Sequence, residues 1–443
     1  MRLPKSRYLS PTGADVPLRY NMPMKPPFEW DYYSDQPYQL KDAEYKKSMR
    51  RAQKGSLLKT ALSGVLWLPL AVAAMPFLRR SGGTPAELSG LIIDPLREPE
   101  ATLAAIKELG ITELLVRVPM WEAGRLDAIV SYLKRLEGYS FFFVLMQDRE
   151  HVEDPVLRAE TFLRLFAALS PFGTRFQVGT TINRAKWGFF SVNEYLDFFL
   201  TAQQLRDEVF PQLALIGPGV IDFEYHFTAH ALFNLPGAHF DAVASLLYVD
   251  RRGAPENTQA GCDLPCKVNL LSALAMLSPR TKNALYLTET NWPLSGTKPY
   301  APTSEKECVD EELHASYLVR YFLLALATQQ VRTAYWHQLI APGYGLIDNR
   351  DGLRKRPAYF AFKTLIAMIG DARYISLQQR RKRYEMVLEK PEGILRVFWK
   401  NGETEIQHFP ETKTFTDRDG RTFSSASITI GDAPVYLYEK DNA

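Results

Sequence analysis

The sequence predicts an α/β protein: a (β/α)8 TIM barrel with a small C-terminal antiparallel β-sandwich domain and an N-terminal transmembrane helix. Three observations lead there. Eight short apolar strands alternate with helix-period segments over residues 86–370, the rhythm a closed parallel barrel requires. After Gly370 the texture changes to period two, with turn signals at Pro391-Glu392-Gly393 and Asn401-Gly402. The Gly-rich first turn of an open, doubly wound sheet is missing.

In chain order, residues 1–56 are rich in Pro, Tyr, Asp and Lys without a sustained period, and read as a disordered cytoplasmic tail. Residues 57–79 read as a membrane anchor. Within them Thr60–Leu78 carries no charge, and about 20 such residues cross a bilayer as a helix. Pro69 and Pro76 are tolerated in membrane helices. A signal peptide cleaved near Ala71-Val72-Ala73 and a buried soluble helix are the alternatives. Lys46, Lys47, Arg50, Arg51, Lys54 and Lys59 precede the run, whereas only Arg79 and Arg80 follow closely. The positive-inside rule then gives a single-pass inner-membrane protein with its barrel in the periplasm.

The barrel strands are read in "SGLIID", "TELLVRVPMW", "SFFFVLMQD", "RFQVGTT", "LALIGPG", "DAVASLLYVD", "NALYLTETNW" and "VRTAYWHQ". Helices between them include "PEATLAAIKELG", whose Gly110 is a good C-cap, and "LHASYLVRYFLLALATQ". Residues 371–443 form the C-terminal β domain, with strands such as "RYEMVLEK" and "ILRVFWKN".

The net charge of +3 is close to balance and points to no nucleic-acid partner. No phosphate loop or zinc spacing is present, so no cofactor is expected; His226 and His230 stand four apart without a third ligand. Cys262-x-x-x-Cys266 predicts a disulfide after strand six, with Cys308 as rival partner or three free thiols as the alternative.

Barrel chemistry belongs at the C-terminal ends of the strands. Those ends offer Arg117 and Trp121, then Thr181, Asn183 and Trp187, then Asp222 and Glu224. Tyr248 follows, then Glu289, Asn291 and Trp292, and finally Trp336 and Gln338. Aromatic faces stack on sugar C–H groups and polar side chains hold hydroxyls, so the set suits a carbohydrate. Any one of these aromatics is as readily core or rim, and the alternative for Glu289 is an ordinary strand-end carboxylate paired with a Lys or Arg.

On Arg117 in "LLVRVPMW", Tyr248 in "LLYVD", Glu289 in "YLTETNWP" and Trp336 in "AYWHQ", the chain resembles the retaining glycoside hydrolases of clan A. The nearest group is the β-xylosidase and α-iduronidase family (family 39) with its exopolysaccharide-cleaving relatives. The resemblance covers about residues 88–370, and the trailing β domain fits it too. It implies that Glu289 is the nucleophile, that Arg117 and Tyr248 hold and orient it, and that Trp336 floors the sugar subsite. There is one departure. The family's strand four ends in Asn-Glu, the Glu being the acid/base, and here Thr180 and Thr181 stand there. A Thr hydroxyl is no general acid near neutral pH, and general acid–base catalysis contributes typically about 10²–10⁴-fold. Glu224 or Asp222 reaching the leaving oxygen is one explanation. A leaving group such as phosphate that needs no acid is another, and a binding relic is the third.

The reading is a membrane-anchored glycoside hydrolase-like protein acting on an envelope polysaccharide or lipid-linked glycan, with polysaccharide assembly proteins as possible partners. A non-catalytic glycan-binding scaffold and a transglycosylase using polyprenyl-phosphate sugars are the alternatives.

Overall fold

The computed structural model describes residues 24–440, without the side chain of Arg251. Of the expected disordered tail, residues 1–23 lie outside the described residues, and the rest is ordered. Trp30–Asp31 pairs antiparallel with Gln36–Pro37 in a small hairpin. Asp31 ties the turn by accepting from Tyr33 N at 3.0 Å and Ser34 Oγ at 2.6 Å, an Asx-type closure. Asp35 completes it in a left-handed conformation, φ 53°. Helix α1, Ala43–Ala52, follows, N-capped by Asp42 on Tyr45 N at 2.8 Å.

Helix α2, Lys54–Ala74, continues through Phe77 as a segment long and apolar enough to cross a membrane. Here it lies along the outer wall of the barrel. Its small residues Ser56, Thr60, Gly64, Ala71 and Ala74 are buried, which lets the helix approach closely. A Cβ on Gly64 would stand 2.7 Å from Cβ of His226, so a side chain there would push the helix away. Trp67 stacks on Phe233 with centroids 3.6 Å apart, and Thr60 Oγ1 meets His230 Nδ1 at 2.8 Å. The opposite face, with Leu62, Val65, Leu66 and Phe77, is exposed. A spanning helix puts its flanks on opposite sides of the bilayer. In this structure both flanks touch one barrel, through Arg97–Asp35 on one side of α2 and the barrel itself on the other.

The barrel strands are β1 Ser89–Ile93, β2 Glu113–Pro119, β3 Ser140–Met146, β4 Arg175–Val178, β5 Ala214–Ile216, β6 Val243–Leu246, β7 Leu285–Thr290 and β8 Val331–Trp336. The helices between and after them are α3 Pro99–Leu109, α4 Leu126–Leu133, α5 Pro155–Leu169, α6 Val192–Val209, α7 Tyr225–Leu232, α8 Leu264–Leu277, α9 Glu311–Thr328 and α10 Pro357–Ile369. α7 and α8 were not picked out by the sequence pattern. All neighbouring strands pair in parallel in the order β5-β4-β3-β2-β1-β8-β7-β6. Strand five continues past Gly217-Pro218-Gly219 as Val220–Ile221, which pairs with β6 and closes the barrel. Ile92, Leu115, Phe142, Val144, Ile216 and Tyr335 fill the interior. Each fully buried side chain of that size is worth about 1.5–3 kcal/mol. Gly90 makes room for this layer, since a Cβ there would stand 2.4 Å from the Tyr335 ring.

The C-terminal strands are β9 Arg373–Arg380, β10 Arg383–Lys390, β11 Gly393–Lys400, β12 Glu405–Thr416, β13 Thr422–Ile430 and β14 Val435–Lys440. They form one antiparallel sheet in the order β9-β10-β11-β14-β12-β13. Period two puts Met386, Leu388, Leu395 and Val397 on the barrel side. Phe398, Phe415, Ile428 and Ile430 enclose a separate small core where the sheet folds over itself. At the joint, Arg320 of α9 is fully buried and bonds Glu256 through Nε at 2.8 Å, Asp432 at 2.6 Å and Asn401 at 2.8 Å. Trp399 of β11 donates to the same Glu256 at 2.8 Å. Cys262 is disulfide-bonded to Cys266, and Cys308 is free.

Candidate active site

A cavity of about 170 Å³ opens at the C-terminal mouth of the barrel, and Glu289, Arg117, Thr181 and Tyr248 line it. Glu289 is the penultimate residue of β7; regular alternation would put it on the outward face with Leu285 and Leu287, and the register shift between Leu287 and Thr290 brings it to the mouth instead. Tyr248, two residues past β6, donates to Glu289 Oε1 at 2.5 Å. Burial pulls the Glu289 pKa up, but His337, Arg117, the Tyr248 bond and Arg252 together pull it below the usual glutamate value. His337 is itself pushed down to about 4 by burial, so it is neutral at pH 7. The standing positive charge beside Glu289 therefore comes from Arg117 and Arg252. Glu289 is thus ionised, shielded and fixed in orientation, as an attacking carboxylate must be.

Arg117 acts at one remove. It does not bond Glu289; Nη1 meets His337 Nε2 at 3.3 Å and Nε faces Met146 Sδ at 3.1 Å. His337, which stacks on Tyr344 with centroids 5.0 Å apart, occupies the place expected for Trp336. Trp336 is fully buried against Trp292, at 5.9 Å, and against His314, at 5.3 Å. It floors no sugar site, because the last residue of β8 points outward into the helix layer and its successor turns in. Trp292 is equally buried and donates to Gly253 O at 2.9 Å. Asn291 lines the cavity and donates to His337 O at 2.8 Å, holding the β7 and β8 ends together. Gln338 is buried and reaches Asp35 Oδ2 at 3.2 Å.

On the strand-four side Thr181 lines the cavity with φ 50°, a left-handed conformation that L residues adopt at a cost of order 1–3 kcal/mol. Thr180 is fixed by Gln147, which accepts from its N at 2.9 Å and donates to its O at 2.9 Å. No carboxyl group comes from this strand end. Asp222 and Glu224 do not replace it. Both are ion-paired to Arg184, at 2.7 and 2.8 Å, in an adjoining hollow. Asn183 bridges to Glu224 at 2.9 Å. Both carboxylates thus lie outside the Glu289 cavity, engaged by a guanidinium.

One group, Asp35, escaped the sequence reading of the site, and another, Lys186, was read just past strand four without a role. Lys186 lines the cavity, bonds Gln36 Oε1 at 2.6 Å, and is pushed down to about 8 by burial and by Arg184. Its place just past strand four was the available signal. Asp35 enters from the N-terminal hairpin, and no barrel pattern pointed to it. Trp30 of that hairpin packs on Trp121 at 5.2 Å and Trp187 at 5.7 Å. The two indoles expected to stack on sugar are thus covered by the chain's own Trp30.

No family model matches the sequence, and no curated protein matches it significantly. Solved structures do. A family 39 glycoside hydrolase from Bacteroides cellulosilyticus WH2 superposes with a TM-score of 0.63 at 14% identity, over 81% of this chain and 82% of that one. A family 39 β-xylosidase from Caulobacter crescentus gives 0.55 at 14% identity, over 82% and 98%. A family 30 endoxylanase from Clostridium papyrosolvens C71 gives 0.53 at 10% identity, over 80% and 96%. At this distance a likeness speaks for architecture, and function has to be argued from the site. The chain has the barrel-plus-β-domain fold of the clan A glycoside hydrolases, with family 39 among its structural neighbours.

Proposed function

We propose that this protein is a glycoside hydrolase-like enzyme acting on O-glycosidic bonds of an envelope polysaccharide or glycolipid glycan, with Glu289 as nucleophile. The Tyr248–Glu289 bond at the mouth of the barrel carries the reading, since it fixes one ionised carboxylate where a sugar's anomeric carbon would sit. Glu289 Oε attacks that carbon, the bond to the leaving oxygen breaks, and a glycosyl ester forms. Water or an acceptor hydroxyl then releases the sugar. With Thr181 at the strand-four position, the substrates best served carry a leaving group that departs with little protonation, such as phosphate. Lys186 is the group in the cavity able to supply a proton near neutral pH. A transglycosylase using a polyprenyl-phosphate sugar is the same chemistry with an acceptor in place of water.

The test is trapping with activated 2-deoxy-2-fluoro glycosides followed by mass spectrometry of the protein. A mass increase of one fluorosugar on wild type, absent in Glu289→Gln, is the expected result. Equal turnover of an activated glycoside by both proteins would remove Glu289 from the mechanism. The missing carboxylic acid favours a second reading, a non-catalytic glycan-binding scaffold, and binding without turnover in both proteins would select it.

The inner-membrane location on the periplasmic side is likewise our proposal, now as surface attachment. The exposed apolar face of α2 lies between exposed basic groups, Lys47, Arg50, Arg51 and Lys54 at one end and Arg79 and Arg80 at the other. Apolar insertion flanked by Lys and Arg suits an anionic bilayer surface, and would set the barrel beside lipid-linked glycans and their assembly proteins.

A further inference from the structure

We infer that the N-terminal hairpin is the end wall of the sugar site, that Asp35 accepts hydrogen bonds from a terminal sugar's hydroxyls, and that the substrates are therefore glycan chain ends rather than internal bonds. The inference rests on the glycosidase reading of Glu289 and extends it to substrate class.

The hairpin divides the barrel mouth. On one side is the Glu289 cavity of about 170 Å³. On the other is a hollow of about 350 Å³ over the ends of β1 and β2, lined by Trp30, Leu96 and Glu122 among others. Asp35 and Arg117 line both, so they are the partition. Were the hairpin absent, the two hollows would join into a groove with room for further sugars. With it in place, the Glu289 side offers roughly the liquid volume of six waters, which suits one sugar ring. By the family resemblance the leaving group lies over strand four, beside Thr181. Asp35 stands away from it, bonded to Arg97 after β1 and to Gln338 after β8, where the glycone lies, while Gln36 and Trp30 of the same hairpin reach Lys186 and Trp187 on the strand-four side.

The wall is fixed rather than loose. Met24, Phe28 and Leu40 are buried on either side of it, and Trp30 is wedged between Trp121 and Trp187. Gln36 Nε2 bonds Pro302 O at 2.9 Å, and Tyr33 meets Tyr300 edge-on at 5.7 Å.

Asp35 has the chemistry of a hydroxyl receptor. Its Oδ2 accepts from Arg97 at 2.8 Å, from Gln338 at 3.2 Å and from Tyr344 at 3.5 Å. Among the described residues Oδ1 accepts no hydrogen bond, and it is not among the buried atoms that lack a partner. Burial pulls the Asp35 pKa up, and Arg97 and Arg117 outweigh it, leaving the group ionised. An ionised carboxylate with a free oxygen is a strong acceptor for sugar hydroxyls. For the same reason Asp35 is not the missing acid.

The experiment uses full-length protein, 4-nitrophenyl monoglycosides of several common sugars, and 4-nitrophenyl trisaccharides of the same sugars. Wild type is expected to cleave at least one monoglycoside and to shorten the matching trisaccharide one sugar at a time. Asp35→Asn is expected to lower kcat/KM on the monoglycoside at least tenfold, chiefly through KM. Trp30→Ala is expected to release the trisaccharide intact. Release of the intact trisaccharide by wild type, or an Asp35→Asn protein as good as wild type, would overturn the wall. If wild type cleaves nothing, or Glu289→Gln is equally active, the glycosidase reading fails instead. Saturation-transfer NMR with methyl monoglycosides then judges the wall alone. Binding weakened tenfold or more by Asp35→Asn supports it, and equal binding, or none, refutes it.

Discussion

Tyr248 and Glu289, from adjacent strand ends, share a hydrogen bond of 2.5 Å inside the barrel mouth. The bond fixes a carboxylate that lines the cavity. A hydrogen bond to a charged group is worth about 1.5–3 kcal/mol. Tyr248→Phe should therefore fold normally and lose about 10–150-fold in kcat/KM on an activated aryl glycoside. A rate unchanged by the substitution would deny Tyr248 any part in placing the nucleophile.

The pH profile should be limited on its alkaline side by Lys186. Burial and Arg184 lower its pKa to about 8 from 10.5, so the cation is present below about pH 8 and lost above it. If that cation assists the leaving group, kcat/KM falls as pH rises through about 8, and Lys186→Gln gives a low, flat profile there. The stability effect has the opposite sign. Between pH 8 and 10.5 the unfolded chain binds more protons than the folded one at this site, so its contribution to stability rises with pH. A wild-type profile level to pH 9.5 would remove Lys186 from the chemistry.

The joint between barrel and β domain should be the costliest place to remove one charge. Glu256 neutralises a fully buried Arg320 and accepts from Trp399. Glu256→Ala leaves that guanidinium with Asp432 and Asn401 alone, and breaking a buried pair costs about 3–5 kcal/mol. Denaturant melts should show that loss, with the β domain becoming the first part cleaved by protease. A loss below about 1 kcal/mol would mean that the pair is already reached by water.

Attachment through α2 should be electrostatic and reversible. Leu62 and Leu66 are 58% and 57% exposed, and Leu62→Glu with Leu66→Glu removes two apolar insertions worth together about 3 kcal/mol or more. Co-sedimentation with anionic vesicles should fall about a hundredfold in the double variant. Alkaline carbonate should strip the wild-type protein from membranes. Resistance to carbonate would return α2 to a spanning role.

Much of the barrel was legible because strand and helix periods alternate over long stretches, and strand ends are where Glu289, Tyr248 and Thr181 were found. Residues 24–53 were not legible. They have no period of their own, and their order comes from contacts such as Trp30 on Trp121 that a local reading cannot see. α2 was legible as an apolar helix of spanning length, whereas its packed face, marked only by small residues, was not. Trp336 misled for a geometric reason. A one-residue shift at a strand end exchanges inside for outside, and the cavity received His337. Asp222 and Glu224 pair with Arg184 in an adjoining hollow, and such pairing is invisible in one dimension.

The hairpin precedes the barrel in the chain, but the residues it closes on lie far along it. Its Asp35 closes on Arg97, 62 residues later, and on Gln338, 303 residues later. On a ribosome the wall emerges early and waits until β8 has been translated before it has anywhere to dock. Contacts of such separation are slow to form. A chain that stops short of β8 therefore lacks the Gln338 side of the wall.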